Sequence, residues 1–280
     1  MNIGVRAHDF GRINIEELAE KAAEKGFKCI QLALDKSLSG YEAEPGFLSP
    51  GAATHVRDVL YKKGVNISVL GCYINPIHPD LEVRRKSIER FKEYIRFARD
   101  FGCSIIATET GSLNADCSYH PDTDKEETFD IFRGIIEELV REAEKFGVIV
   151  GVEPVADKHT ISTPQKMKKL LDVIESNNLQ VIFDPVNIIP EKECEKQNEI
   201  ITQSFDLFKK QIIAVHVKDF VIENGLKNGS LPAGEGMLNY GLLFKLLKKH
   251  KPNIAILAEN NSPETFDSCI KFLKDIYNKS

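Results

Sequence analysis

The chain has 280 residues, with 37 lysines and arginines against 42 aspartates and glutamates, which gives a formal net charge of −5. This mild acidity excludes a general nucleic-acid binder with a basic face, and no apolar run approaches the roughly 20 residues that span a bilayer. The first residues do not resemble a signal peptide, and no cysteines form a C-x-x-C pair. We therefore expect a cytoplasmic protein with reduced thiols and with no nucleic-acid or membrane partner. The cysteines are Cys29, Cys72, Cys103, Cys117, Cys194 and Cys269.

Four segments along the chain repeat one theme: a charged amphipathic helical pattern, a glycine and then a short apolar run. The glycines are Gly26, Gly64, Gly102 and Gly147. A glycine in this position is typical of a left-handed helix C-cap, because it has no Cβ atom to clash at positive φ. The repeating unit is therefore predicted to be a helix, a tight turn and a strand.

The predicted elements alternate along the whole chain. The apolar runs predicted as strands are 3–7, 29–34, 66–72, 104–108, 148–153, 180–184, 212–218 and 254–259. The helical patterns are 14–25, 51–63, 82–101, 126–146, 164–176, 196–210, 239–249 and 263–277. Most strand runs are continuously apolar, as in parallel strands that are covered on both faces. This order predicts one α/β domain over 1–280, a single (β/α)8 TIM barrel. A doubly wound open sheet is the alternative, although no G-x-G-x-x-G follows the first strand.

The predicted connections differ between the two ends of the barrel. Those from helix to strand are a glycine or a few residues, whereas those from strand to helix are long. The long ones are 35–50, 73–81, 109–125, 185–195 and 219–238. Barrel enzymes build their sites from loops at the carboxyl ends of the strands. We therefore expect the functional site at that end.

Ionisable residues end four successive predicted strands, namely Glu153, Asp184, His216 and Glu259. Charged groups at the ends of buried strands are costly unless they are paired or metal-bound, and three carboxylates meeting at one point repel one another. A divalent cation resolves this conflict. Three oxygen ligands and an imidazole suit Mn²⁺, our first choice, and also Mg²⁺, Co²⁺ or Zn²⁺. A salt-bridge network that closes the barrel mouth is the alternative.

The sequences around these residues resemble the xylose isomerase-like TIM barrels of the sugar phosphate isomerase/epimerase group. The motifs are Val152-Glu153-Pro154, Phe183-Asp184-Pro185-Val186-Asn187, His216-Val217-Lys218-Asp219 and Ala258-Glu259-Asn260. The superfamily includes D-tagatose 3-epimerase, inosose dehydratase and endonuclease IV. The resemblance implies that Glu153, Asp184, His216 and Glu259 bind the metal and that the two glutamates are the acid/base pair.

The resemblance implies a metal-dependent isomerase or epimerase that acts on a sugar, a keto-sugar or a related compound through an enediolate. The alternatives are a lyase of the inosose dehydratase kind, a nuclease like endonuclease IV and a sugar-binding barrel without activity. Barrels of this group often form dimers or tetramers, so a homo-oligomer is an open expectation.

The substrate shell departs from the epimerase pattern. Asn187 replaces a histidine, His159 replaces a glutamate, and Ile222 replaces an arginine. We still expect substrate contacts from polar residues at the strand ends and in the adjoining loops. They are His159, Asn187, Lys218, His8, Arg6 and Glu109. Tyr73, Tyr119 and His120 in the long loops are candidates for a cover over the substrate.

Overall fold

The computed structural model describes residues 1–280 and contains a closed barrel of eight parallel strands. The sequence-based prediction of a (β/α)8 barrel is confirmed. The barrel strands are β1 (Asn2–Arg6), β2 (Cys29–Leu32), β3 (Asn66–Gly71), β4 (Ile105–Glu109), β5 (Ile149–Glu153), β6 (Leu179–Phe183), β7 (Ile212–Val217) and β10 (Ala255–Ala258). Each strand pairs with its neighbours in the chain order of the barrel, and β10 closes the ring against β1.

Helices follow the strands and surround the barrel. They are α1 (Ile15–Glu24), α2 (Leu34–Ser37), α3 (Pro50–Lys62), α4 (Leu81–Phe97), α5 (Glu126–Phe146), α6 (Pro164–Ile174), α7 (Pro185–Ile188), α8 (Gln197–Phe208), α9 (Tyr240–His250) and α10 (Phe266–Lys279). Short 3-10 turns lie at Ala7–Phe10 and Cys194–Lys196. The two four-residue helices, α2 and α7, lie within regions that were predicted as loops or strand ends. No helix combines the length and the apolar character needed to cross a membrane.

Local sequence signals explain where several helices begin and where the turns at the barrel base form. Ser49 and Thr163 cap α3 and α6, each through a side-chain oxygen that accepts from a backbone N–H and each followed by proline. The four predicted cap glycines all have positive φ, between 63° and 79°. The prediction of left-handed turns at these glycines is confirmed.

The barrel interior is filled by a thin layer of small and medium apolar side chains. Its residues are Cys29, Val69, Ala107, Ile182, Ala214 and Leu257. Two glycines make room for this layer. A Cβ atom on Gly4 would lie 2.6 Å from the Cys29 sulfur, and one on Gly151 would lie 3.1 Å from Ile182. The larger apolar layer lies between the strands and the surrounding helices, and it includes the ring cluster of Phe10, Phe27 and Phe266.

A β-hairpin extends the structure above the barrel mouth. β8 (Asp219–Glu223) pairs antiparallel with β9 (Leu226–Leu231), and this pair is separate from the barrel sheet. The prediction of a strand-to-helix loop over 219–238 was therefore wrong for residues 219–231, which form this hairpin. The turn residues Asn224 and Gly225 both have positive φ, 53° and 78°. Asn-Gly is a strong signal for this kind of hairpin turn.

Candidate metal centre and substrate cavity

A ring of polar side chains lies directly above the apolar layer inside the barrel. Side chains alternate between the two faces of a strand, so the residue two positions after an inward-facing one also faces inward. Two residues beyond Gly4, Gly151 and every member of the apolar layer except Val69, which Gly71 follows, the chain carries polar groups. They are Arg6, Gln31, Glu109, Glu153, Asp184, His216 and Glu259. The strand period therefore explains why residues that are distant in sequence meet at the mouth.

The four predicted metal ligands are brought together in this ring and are all at least 95% buried. Nδ1 of His216 lies 3.2 Å from Oε2 of Glu153 and 3.2 Å from Oε1 of Glu259. Ligand atoms of Glu153, Asp184 and His216 all lie within 4.8 Å of one another. The two glutamates therefore approach the same imidazole nitrogen.

In both Glu153 and Asp184, one carboxylate oxygen accepts hydrogen bonds from residues outside the cluster, and the other oxygen faces the centre of the barrel mouth. Oε1 of Glu153 accepts a hydrogen bond from Nδ2 of Asn187 at 2.7 Å. Oδ1 of Asp184 accepts from the backbone N–H groups of Val186 and Asn187 at 2.8 and 3.0 Å, and so caps α7. Asn187, which the sequence suggested as a substrate contact, holds a ligand carboxylate in this structure.

His216 and Glu259 also each have one polar atom bound to a neighbouring side chain and one that faces the centre. Nε2 of His216 lies 2.6 Å from Oε1 of Gln31, which leaves Nδ1 facing the carboxylates. Oε2 of Glu259 accepts from Nζ of Lys218 at 3.2 Å, while its Oε1 faces His216. Nζ of Lys218 also lies 2.9 Å from Oδ2 of Asp184, so this lysine bridges two of the acids.

The atoms that face the centre fit a divalent cation. Nδ1 of His216 is buried and makes no well-aligned hydrogen bond, although two carboxylate oxygens lie 3.2 Å away, and Oδ2 of Asp184 has only the Lys218 ammonium beside it, at 2.9 Å. Buried polar atoms normally have a partner, and those without one indicate an ion, a water or a functional role. Three carboxylate oxygens and one imidazole nitrogen are a donor set for Mn²⁺, Mg²⁺, Co²⁺ or Zn²⁺. The residues whose ligand atoms lie close enough together to hold a metal are Glu153, Asp184 and His216, while Glu259, the fourth predicted ligand, contacts His216 but is not part of this group.

The electrostatics of the centre are dominated by its carboxylates. Burial alone would lower the pKa of His216, but the charges of Glu259 and Glu153 raise it to about 9. Burial raises the pKa of Asp184, against the attraction of Lys218. For Glu259 the desolvation is outweighed by His216, Lys218 and Arg6, which hold its pKa well below the usual range. The cluster is thus a site that attracts positive charge.

Arg6 completes the positive side of the mouth. Its Nη1 lies 3.6 Å from Oε2 of Glu259, its Nε donates to Asp9 at 2.8 Å, and its Nη2 donates to Asn260 at 2.9 Å. Asp9 also accepts from the backbone N–H of Asn261 at 2.9 Å. Burial raises the pKa of Asp9 to about 6, although Arg6 opposes that shift. Asp9 and Asn260 orient Arg6 beside Glu259, and sequence reasoning assigned neither of them to the site.

Three other predicted substrate contacts lie at the mouth without touching the four ligands. His159 is 5% exposed, and its Nε2 lies 3.8 Å from Oε2 of Glu109. Burial lowers the pKa of His159 to about 4 and that of His8 to about 3, so both rings are neutral near pH 7. The ring of His8 packs edge-on against Tyr73. The mouth thus contains two neutral, largely buried imidazoles, and Glu109 lies beside Glu153 in the register of β4 and β5.

Gln31 is the largest omission of sequence reasoning about the site, and Tyr73, predicted only as a candidate cover, is its hydrogen-bond partner. Gln31 is 1% exposed, and its Nε2 donates to the Tyr73 hydroxyl at 2.5 Å while its Oε1 faces His216. Tyr73 is therefore tied beneath the mouth, whereas Tyr119 is exposed. The signal for Gln31 was present in the sequence, because it is a polar residue inside an otherwise apolar predicted strand.

A cavity of about 330 Å³ adjoins the centre on the side of β5, β6 and the β8–β9 hairpin. Lys218, Asn187 and Asn260 line it and also contact the centre or its immediate partners. The remaining lining residues are Val155, Ala156, Asp157, Lys158, Val186, Ile189, Glu191, Lys227, Asn228, Gly229 and Ser230. The fold and the mouth thus define an α/β-barrel protein with a candidate metal centre and an adjoining polar cavity.

The sequence places this barrel in a known family. The family model described as xylose isomerase-like TIM barrel matches residues 19–276, and the chain belongs to this family. No curated protein sequence matches the chain. The resemblance predicted from the four strand-end motifs is confirmed at the level of the family.

Solved structures with the same fold include sugar epimerases and metal-containing proteins. A D-psicose 3-epimerase from Clostridium cellulolyticum H10, solved with D-tagatose, has 17% identity and a TM-score of 0.67 over 99% of this chain and 92% of its own. A xylose isomerase-like TIM barrel protein from Mycobacterium smegmatis, in complex with magnesium, has 17% identity and a TM-score of 0.72 over 98% and 97%. The IOLI protein with a zinc atom has 16% identity and a TM-score of 0.75 over 100% and 99%. At these identities the likeness shows the fold.

Proposed function

We propose that the protein is a divalent-metal-dependent isomerase or epimerase acting on a sugar, a keto-sugar or a related hydroxy-carbonyl compound. The observation that carries this proposal is the convergence of Glu153 and Glu259 on Nδ1 of His216, with a carboxylate oxygen of Asp184 within 4.8 Å of the ligand atoms of Glu153 and His216. The family and the sugar epimerases among the structures of the same fold support the class of reaction.

The four residues Glu153, Asp184, His216 and Glu259 would hold the metal. A divalent cation bound there supplies Lewis acidity, which polarises a substrate carbonyl and stabilises the negative charge that follows proton loss. Mn²⁺ is our first choice, and Mg²⁺, Co²⁺ and Zn²⁺ fit the same donors. Zinc and magnesium are the ions named for the IOLI protein and the Mycobacterium smegmatis protein.

The two glutamates move the proton. One of them takes the proton from the carbon beside the carbonyl, and the electron pair of that C–H bond becomes part of the C=C bond of an enediolate. If the other glutamate returns a proton to the opposite face of the same carbon, the product is an epimer. If a proton is returned to the neighbouring carbon instead, an aldose and a ketose interconvert.

Neighbouring residues orient the two glutamates and provide groups that would bind the substrate. Asn187 orients Glu153 and Lys218 orients Glu259, each by a hydrogen bond to the oxygen that faces away from His216. Lys218 also lines the cavity, so its ammonium is placed to bind a substrate oxygen. Arg6 lies beside Glu259 as a second cation for substrate oxygens, and His8, His159 and Glu109 offer two neutral imidazoles and a carboxyl group as hydrogen-bonding partners.

Proton NMR in D₂O tests this proposal. Protein loaded with Mg²⁺ or Zn²⁺ is incubated with ketoses, keto-sugars, sugar phosphates and inososes. We expect deuterium at a carbon beside the carbonyl of at least one compound, together with an epimer or an aldose–ketose isomer. A dehydrated product would assign a lyase instead. Absence of deuterium uptake from every member, despite bound metal, would contradict the proposal.

A further inference from the structure

We propose that Glu109 and His159 form a second proton-transfer pair, which moves a hydroxyl proton of the substrate, and that the reaction is an aldose–ketose interconversion. The inference rests on the proposed function, because it concerns the same substrate. It assigns a ketose and the aldose formed from it as the two compounds that interconvert, rather than two epimers. The metal centre and its acid/base glutamates leave this pair without a chemical role of its own.

The two reactions that an enediolate allows differ in the number of protons that move. Epimerisation beside a ketone removes the proton of one C–H bond and adds a proton to the opposite face of the same carbon, so every oxygen keeps its own proton. In aldose–ketose interconversion, a proton also leaves the hydroxyl oxygen that becomes the carbonyl oxygen, and the former carbonyl oxygen gains one. This second transfer, from oxygen to oxygen, is the task of an acid/base group other than the one that acts on carbon.

Glu109 lies next to one of the two acid/base glutamates. It ends β4, and its Cα atom is paired with that of Glu153, which ends β5. The side chain of Glu109 is 39% exposed, so it can be reached from the mouth, and His159 is the only basic side chain within 4.0 Å of its carboxylate. A carboxylate without a lysine or arginine partner remains available as a base. Glu109 is therefore placed to act on an oxygen of a substrate whose carbon faces Glu153.

His159 provides a neutral hydrogen-bonding group beside this carboxylate. Its Nε2 lies 3.8 Å from Oε2 of Glu109, which is longer than a direct hydrogen bond. A substrate hydroxyl between the two atoms can form hydrogen bonds with both. Because burial lowers the pKa of His159 to about 4, the ring is neutral near pH 7 and forms no ion pair that would reduce the basicity of Glu109. The separation therefore fits a bound hydroxyl group better than a salt bridge.

Hydrogen bonds hold the two loops that carry this pair against each other. The backbone N–H of Thr160 donates to the Gly111 carbonyl at 3.0 Å, and that of Ile161 donates to Oγ1 of Thr110 at 3.2 Å. The side chains of Thr110 and Thr160 are fully buried. The residues that directly follow each member of the pair are thus fixed to one another, so the backbone of both loops sets the gap between the two side chains.

The protons balance over one turnover. One of the acid/base glutamates takes the C–H proton, and a proton is returned to the neighbouring carbon. Glu109 accepts the proton of the hydroxyl group whose oxygen becomes the carbonyl oxygen, and it gives this proton to the former carbonyl oxygen. Glu109 is then again a carboxylate, and His159 stays neutral while it holds the substrate oxygen by a hydrogen bond. The transfer uses no oxidant or reductant.

Product analysis in D₂O tests the pair. Mg²⁺-loaded protein is incubated with D-fructose, D-tagatose, D-psicose and D-xylulose, and NMR measures the aldose formed and the deuterium taken up beside the carbonyl. We expect at least one ketose to give its aldose. In Glu109→Gln the ratio of aldose formed to deuterium taken up should fall by about 100-fold or more, because removal of the C–H proton does not use this carboxylate. His159→Gln keeps the carboxylate and should lower the ratio by about tenfold.

The matched control is His55→Gln, which changes a histidine that lies 3.6 Å from Glu16 and is 56% exposed on the outer helix α3. This variant should leave the ratio unchanged. A change that only loosened the mouth would lower aldose formation and deuterium uptake together, so it would not change the ratio either. A wild-type ratio in Glu109→Gln would therefore overturn the inference.

The products also separate this inference from the proposed function. Deuterium uptake with a 3-epimer as the sole product would overturn the aldose–ketose interconversion and leave the proposed enediolate chemistry in place. Absence of deuterium uptake from every ketose, despite bound metal, would contradict the proposed function and this inference with it.

Discussion

The two ends of this barrel differ in the residues that they bury and in what those residues contribute to stability. At the base, helices end in left-handed glycines such as Gly64 and Gly147, and the chain enters the next strand through a buried apolar residue. At the mouth, the strands end in buried ionisable groups such as Glu153 and His216. The base stabilises the fold through turns and apolar burial, whereas the mouth contains charges whose desolvation opposes folding. The comparison indicates that the mouth residues serve a purpose other than stability.

The largest expected effect is the loss of proton exchange when either of the two glutamates at the mouth loses its carboxylate. Glu153→Gln and Glu259→Gln should each lower the rate of deuterium exchange by about 10²–10⁴-fold, the usual contribution of general acid–base catalysis. The melting temperature should change little in Glu153→Gln but fall in Glu259→Gln, because the Glu259 charge is paired with Lys218, Arg6 and His216. Exchange rates and thermal melting check this, with exposed Glu195→Gln as the control. Exchange near the wild-type rate in either variant would remove that residue from the acid/base pair.

Lys218 is the mouth residue on which stability should depend most. Its ammonium is 2.9 Å from Asp184 and 3.2 Å from Glu259, and its side chain is 9% exposed. Lys218→Met leaves these acids without their cation and should destabilise the metal-free protein by about 3–5 kcal/mol. Urea unfolding measures the loss, and added metal should reduce it. Exposed Lys192→Met is the control, and equal midpoints for both variants would contradict the bridging role of Lys218.

The largely buried, neutral histidines at the mouth should make the protein sensitive to acid. Burial lowers the pKa of His159 to about 4 from a model-compound value of 6.5, so the unfolded chain binds this proton first. The folded state therefore loses stability as the pH falls from 6.5 towards 4, by about 3 kcal/mol at most from this residue. Urea unfolding at pH 7.5 and pH 5 should show a smaller difference in His159→Gln than in the wild type. The same pH dependence in both proteins would show that His159 is not the source.

The smallest expected effects are changes in stability when glycines away from the barrel mouth are replaced. Gly64 has a φ of 73° and no atom near the position of a Cβ, so Gly64→Ala should cost about 1–2 kcal/mol through backbone strain alone. Gly134 lies inside α5 with open space around it, and Gly134→Ala should instead stabilise by about 0.5–1 kcal/mol. Thermal melting distinguishes the two signs, and neither variant should change the exchange rate. A loss of activity in Gly64→Ala without a loss of stability would contradict the claim that the base serves stability and the mouth serves function.

The turns at the base and the polar strand ends at the mouth were predictable because their signals are local. A glycine after an amphipathic helix, or an acid at the end of an apolar run such as Glu259, is visible within a few residues of sequence. The partners of these groups were not predictable in the same way. Gln31 and His216 are 185 positions apart, and only the closure of the barrel brings them to 2.6 Å.

The hairpin was missed for a different reason. Asn224-Gly225 is a turn signal, but the strand after it contains Asn228, Gly229 and Ser230, which are typical of loops. The strand forms because Lys227 and Asn260 fix the hairpin over the mouth through tertiary hydrogen bonds. The wall of the cavity therefore depends on contacts that no short segment of sequence encodes.

Metal binding tests the central claim most directly. Metal-free protein is titrated with Co²⁺ and followed by calorimetry and visible absorption, in the wild type and in His216→Ala. We expect one equivalent of Co²⁺ per chain in the wild type and an affinity that falls by more than about 100-fold in the variant. Failure of the wild type to bind the ion, or equal binding by both proteins, would contradict the assignment of the barrel mouth as a metal centre.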